Sequence, residues 1–330
     1  MTLRSSFDYV SHEWRAKLHL SNEDVAKMYR RAPRGMLFYR QSDVMNGAGM
    51  KELERIGLNE DELSRMAVNW PQLLSSHNVA RVVEFLVTRL QLNEGELRKM
   101  VLTMPSLLGH SIDTLESKMA FLTTRLLLDE TQLQKMVLAM PQLICSHSIE
   151  NLESKMAFLT KRLLLDETQL RKMVLAMPSL LGHNIDTLES KMAFLTTRLL
   201  LDETQLRKMV LAMPQLFGYN IESNIEPTIS FFEETMGLEA ARNFIISFAL
   251  CLSYSLSKRL IPRFDRLLQS HKTTPSASDL VLEKTTSGYI CRLTNDKFDA
   301  WMGRNHGEQF TENKDVDETV TREYTYFNFQ

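Results

Sequence analysis

Cysteine is scarce in this chain: Cys145, Cys251 and Cys291 are its three thiols, and no Cys-x-x-Cys pair occurs. That spacing excludes a disulfide frame and a thiolate zinc site, and suits reduced thiols in an intracellular protein. Long apolar runs are missing too. No stretch reaches the roughly eighteen consecutive apolar residues that a membrane-spanning helix needs. No nucleophile elbow, phosphate-binding glycine loop, dinucleotide glycine pattern or pair of catalytic carboxylates is present. The chain therefore reads as a binding protein rather than an enzyme, without cofactor, metal or small-molecule substrate. An excess of one charge is also absent, since 39 Lys and Arg face 41 Asp and Glu. Such a balance argues against an indiscriminate polycation and turns attention to how the charges are distributed.

What is present is a repeat. Pro105, Pro141, Pro178 and Pro214 stand 36, 37 and 36 residues apart. The segment SIDTLESKMAFLTTRLLLDETQLQKMVLAMP at 111–141 returns almost letter for letter at 148–178 and 184–214. More divergent copies close at Pro33 and Pro71, and a last one carries Ala249 in place of the proline. Self-similarity at this period predicts an all-α solenoid, in which stacked units share one continuous core that no unit could bury alone.

Within a unit the pattern predicts two helices and a short closing turn. Leu115, Met119, Leu122 and Leu126 fall at i, i+4, i+7 and i+11, on one helical face. Asp113 is the candidate N-cap of that helix. Leu133, Val137 and Met140 form the stripe of the second helix, with Asp129 and Glu130 near its start, where the macrodipole favours negative charge. Pro141 stops it, and the few residues that follow suit a 3₁₀ turn. The one 37-residue spacing places an extra residue near Cys145 and Ser146.

By composition the chain divides into an N-terminal segment (1–17), the repeat array (18–269), a C-terminal extension (270–307) and an acidic tail (308–330) predicted to be disordered. A remnant of a targeting sequence is one reading of the first segment; Asp8 and Glu13 count against it. Basic residues gather at 15–40 and 257–272, whereas the near-identical repeats are close to charge-balanced.

The repeat grammar, a helix ending L-x-L-D/N-E, then L-x-K-M-V and P-x-L-L/F, together with YSLSKRLIPRFDRLL at 254–268, resembles the mitochondrial transcription termination factor (mTERF) family. The phrases IGLNEDEL at 56–63 and MGLE at 236–239 are similar to that family's helix junction. The resemblance spans about residues 18–302. It implies a left-handed superhelix of paired helices with 3₁₀ turns, whose concave side cradles a nucleic-acid duplex, DNA or structured RNA. It further implies a place in the mitochondrion or chloroplast, in transcription termination, its regulation, or RNA processing; the chain itself is read as a monomer. The alternative is a solenoid scaffold for a protein partner.

A duplex in the groove calls for recurring cations. The first helix offers Lys118 and Arg125, Lys155 and Arg162, Lys191 and Arg198, each pair seven residues apart beside the apolar stripe. Ordinary boundary residues, tied to Glu116 or Asp129, are the plainer reading of that ladder. Lys258, Arg259 and Arg263 in the closing motif are the second group, and Arg30, Arg31 and Arg34 could extend the track. Lys135, Lys172 and Lys208 read as solvated charges on the far side of the second helix. The recurring His77, His110, His147 and His183 share their place with Tyr219 and Tyr254, and no ligand spacing beside them makes a metal site. Phe121, Phe158 and Phe194 read as core.

Overall fold

A computed structural model describes residues 12–31, 48–70, 78–271 and 284–306. Pro33, Arg34, Pro71, His77 and the acidic tail lie outside these residues. The described chain is helical throughout, without a strand, and forms two compact units, Met1–Gly218 and Tyr219–Gln330. From the predicted N-terminal segment the described part forms a short helix, His12–Lys17.

The first unit is an α-solenoid. After helices Asn22–Arg31, Ala48–Arg55 and Glu60–Asn69, four copies of one rung follow. Their first helices are Asn78–Leu90, Ile112–Leu126, Ile149–Leu163 and Ile185–Leu199. Their second helices are Glu94–Thr103, Glu130–Ala139, Glu167–Ala176 and Glu203–Ala212. The closing turns at Pro105–Gly109, Pro178–Gly182 and Pro214–Gly218 are 3₁₀, with proline in the opening position where no amide is needed. The additional residue of the 37-residue copy lets its turn close as a short α-turn instead, Gln142–Cys145.

Side-chain caps fix where the helices begin. Ser111, not Asp113, caps the first helix: its hydroxyl accepts from the Thr114 amide, and Asp113 falls inside the first turn. Asp129, Asp166 and Asp202 cap the second helices in reciprocal boxes with Gln132, Gln169 and Gln205, an arrangement that satisfies two otherwise orphaned amides. Leu115, Met119, Leu122 and Leu126 are fully buried, as their spacing predicts. In the second helix the buried stripe is Leu133, Met136 and Val137, while Met140 lies half-buried at the helix end. The stripe follows the i, i+3, i+4 pattern rather than the wider spacing read from the sequence. Phe121, Phe158 and Phe194 are half-buried.

The two helices of each rung meet at a residue in left-handed conformation. That residue is Leu127, Leu164 or Leu200 in the near-identical copies, at φ 49°, 50° and 49°; Gln91 and Gly57 take the same place earlier. The amides of Leu127 and Leu128 both donate to the Thr123 carbonyl, and Leu128 is buried behind the turn. This is the αL helix stop that glycine usually serves.

The second unit keeps the rung plan in divergent form. Helices Glu226–Met236 and Leu238–Ser247 meet at Gly237, with φ 83°, and close through Ala249–Ser253. Phe231, Phe232, Phe244 and Phe264 form an edge-to-face cluster in its core, with ring centroids 5.1–5.7 Å apart. Ile261–His271 follows, and Lys284–Arg292 and Asn295–His306 complete the unit.

Candidate nucleic-acid interface

The first-helix cations point into the array. The Lys118 ammonium is buried and donates to the Cys145 carbonyl at 3.1 Å; Lys155 donates to Leu181 at 2.7 Å and Lys191 to Phe217 at 2.6 Å. Each lysine thereby holds the closing turn of its own rung. Burial pulls all three ammonium pKa values down. His110, His147 and His183 sit beside them, half-buried, and are pulled down first by burial and then by the neighbouring lysine charges. Among the described residues no group of His, Cys, Asp and Glu side chains converges to hold a metal ion.

The arginines of the ladder reach forward to the next rung. Arg125 Nε lies 2.9 Å from Glu153 and its Nη1 2.5 Å from Glu167; Arg162 meets Glu189 at 2.9 Å and Glu203 at 2.7 Å. Arg89 repeats the pattern with Glu116 and Glu130. The predicted partners Glu116 and Asp129 are thus displaced by glutamates of the following copy. Burial opposes the charge on these guanidiniums, yet the paired carboxylates outweigh it and raise their pKa values. Arg198, at the matching place in the last copy, also has an interaction partner. From the second helix, Arg171 and Arg207 reach the opposite way, to Gln132 and Gln169 of the preceding rung.

These contacts account for the ladder without a ligand. An ammonium sheltered from water, or a guanidinium already facing two carboxylates, gives a phosphate little to neutralise. Arg31 is likewise engaged, with the Val68 carbonyl and the Asn69 side chain, and Arg30 folds back onto the Ala26 carbonyl.

A different row stays exposed. Lys99, Lys135, Lys172 and Lys208 stand on the second helices, one per rung and 36 or 37 residues apart. None forms an ion pair among the described residues. For the last three the sequence held a signal: no acid stands three or four residues to either side, so no helical pair can form.

In the second unit the closing motif divides its cations. Ser255 caps the turn Leu256–Leu260, which exposes Lys258 and lays the Arg259 guanidinium over the Tyr254 ring at 4.8 Å. Arg263 is buried. It donates to the Ile290 carbonyl and to Asn295 Oδ1, both at 2.8 Å, under the Phe298 ring, and burial lowers its pKa. Its contacts fasten Ile261–His271 to the last two helices.

A family model described as mTERF matches residues 12–128, 75–202 and 123–289, three overlapping stretches that cover most of the chain. The chain belongs to the mTERF family. No curated protein matches it. The rungs seen here are therefore mTERF repeats, and no described helix is long and apolar enough to cross a membrane.

Proposed function

We propose that this mTERF protein binds double-stranded nucleic acid, DNA or structured RNA, and regulates gene expression in a mitochondrion or chloroplast as a monomer. Phosphate contacts fall to Lys99, Lys135, Lys172 and Lys208 in the first unit, and to Lys258 and Arg259 in the second. The first-helix cations and Arg263 hold the fold that presents them. One observation carries this reading: in a chain of mTERF repeats, one exposed lysine per rung has no ion pair among the described residues.

Salt dependence tests the proposal directly. Four neutralised phosphates contribute a slope of about −3.6 in log affinity against log salt, so a fourfold rise in salt weakens binding on the order of a hundredfold. Fluorescence anisotropy with duplex DNA and RNA pools measures that slope. Joint replacement of the four lysines by glutamine should remove most of it. An unchanged slope in that variant, or no binding at low salt by the intact chain, would overturn the proposal.

A further inference from the structure

The helix junctions of the near-identical rungs combine two unfavourable features at one residue. Leu127, Leu164 and Leu200 hold left-handed φ, a conformation that burdens any side chain bearing a Cβ. They also point into solvent, at 73%, 72% and 64% exposure, the highest among the large apolar residues described. At this place the divergent copies carry glycine, as Gly57 and Gly237, or a polar residue, as His19 and Gln91. A left-handed leucine in solvent carries strain that a glycine would not, offset only in part by its smaller chain freedom when unfolded. Strain held at an exposed position is where a binding role is to be sought.

The surroundings specify the partner's charge. Each junction continues into an exposed Asp-Glu pair: Asp129 and Glu130, Asp166 and Glu167, Asp202 and Glu203. The aspartate caps its helix and the glutamate is paired with the arginine of the preceding rung, but Arg125 and Arg162 are each shared between two glutamates, so the edge keeps a net negative charge. Lys161 is the one exposed cation described on the same turns, and Arg125 and Arg162 are already paired with glutamates. Leucine flanked by acid thus recurs once per rung. Packed helices lie about 8–10 Å apart, and an α-helix repeats a heptad position every ~10.5 Å. A helix laid along this edge presents every seventh residue to successive leucines.

We propose that the junction edge of the first unit docks a basic amphipathic helix of a partner protein, with apolar residues at seven-residue spacing seated on Leu127, Leu164 and Leu200. Lysines or arginines flanking that stripe meet the net negative charge beside each leucine, left by two glutamates and an aspartate against one arginine. None of these residues is a second-helix lysine, and the proposal stands without the nucleic-acid reading.

The probe is a fluorescein-labelled helical peptide of about three heptads, with leucine at every seventh position, lysine on both flanks and alanine elsewhere. It is titrated against the full-length chain and against the Leu127→Gly/Leu164→Gly/Leu200→Gly variant. Glycine suits the left-handed turn, so the variant should fold at least as well as the parent in thermal unfolding and keep the parent's salt slope for duplex binding. The expected result is saturable binding by the intact chain and at least a tenfold weakening in the variant. A peptide with serine for leucine, or with glutamate for lysine, should bind at least tenfold more weakly. Equal binding by the glycine variant would overturn the proposal, as would equal binding of either altered peptide. Concentration-dependent dimerisation of the intact chain in sedimentation, abolished by the three glycines, would overturn it in favour of a second copy on this edge.

Discussion

Replacing Arg162 with alanine separates a structural clasp from a phosphate contact. Its side chain is 23% exposed, and its guanidinium lies between Glu189, 43% exposed, and Glu203, 65% exposed. Partly exposed pairs contribute about 0.3–1 kcal/mol each. Loss of both, with the packing of the arginine stem, gives a destabilisation of about 1–2 kcal/mol. For a urea m-value near 2–3 kcal/mol/M, this lowers the midpoint by roughly 0.5 M. Urea unfolding followed by circular dichroism measures it, and the difference should shrink in about 1 M salt, where the Debye length is ~3 Å. The companion Glu189→Gln/Glu203→Gln variant should show non-additivity with Arg162→Ala in a double-mutant cycle. A single result would refute this reasoning: an unchanged urea midpoint together with a tenfold or greater loss of duplex affinity. Arg162 would then be reading phosphate, and the ion pairs would be incidental.

Leu164→Gly alone should stabilise the array. Relief of the left-handed leucine is worth about 1–2 kcal/mol, and glycine's added chain freedom takes back ~0.5–1 kcal/mol, so a small rise in urea midpoint is expected. His110, His147 and His183 have folded pKa values below the ordinary 6.5, so in acid the unfolded chain binds more protons than the folded one. Stability should therefore fall as pH drops below about 6.5, and joint replacement by glutamine should flatten that part of a thermal-unfolding profile. Cys251 and Cys291 are fully buried, and burial raises both thiols, Cys291 to about 12; neither should react with a disulfide reagent at about pH 8 until the chain is unfolded.

The architecture was legible because repetition averages out local ambiguity. Proline at a fixed period, a Leu/Met stripe and an acidic start define the rung in copy after copy, and the structure follows them closely. Single positions were harder to read. Asp113 and Ser111 are both competent N-caps, and only the backbone path chooses the serine. The ladder of Lys118, Lys155 and Lys191 shows the same limit more sharply: a lysine beside an apolar stripe can turn its head out to water or inward to a carbonyl. The choice depends on a closing turn 26 or 27 residues away. Arg125 and Arg162 find their acids in the next copy rather than their own, so helical-wheel reasoning confined to one helix could not pair them. Lys135, Lys172 and Lys208 were readable in principle, since the absence of acids at helical spacing already marked them as unpaired.

Arg89, Arg125 and Arg162 face forward, and Arg98, Arg171 and Arg207 face back; the glutamates and glutamines that receive Arg125, Arg162, Arg171 and Arg207 recur at fixed positions of the repeated text. A rung copied or lost in frame therefore brings or removes both halves of its own fastenings, and the junction left behind reproduces the one that was there. Excising residues 148–183, for example, sets Glu189 and Glu203 before Arg125 in the places of Glu153 and Glu167. Array length in this protein is free to change by whole steps, so the footprint presented to a ligand can lengthen or shorten through gene-level slippage while the joints between steps need no new invention.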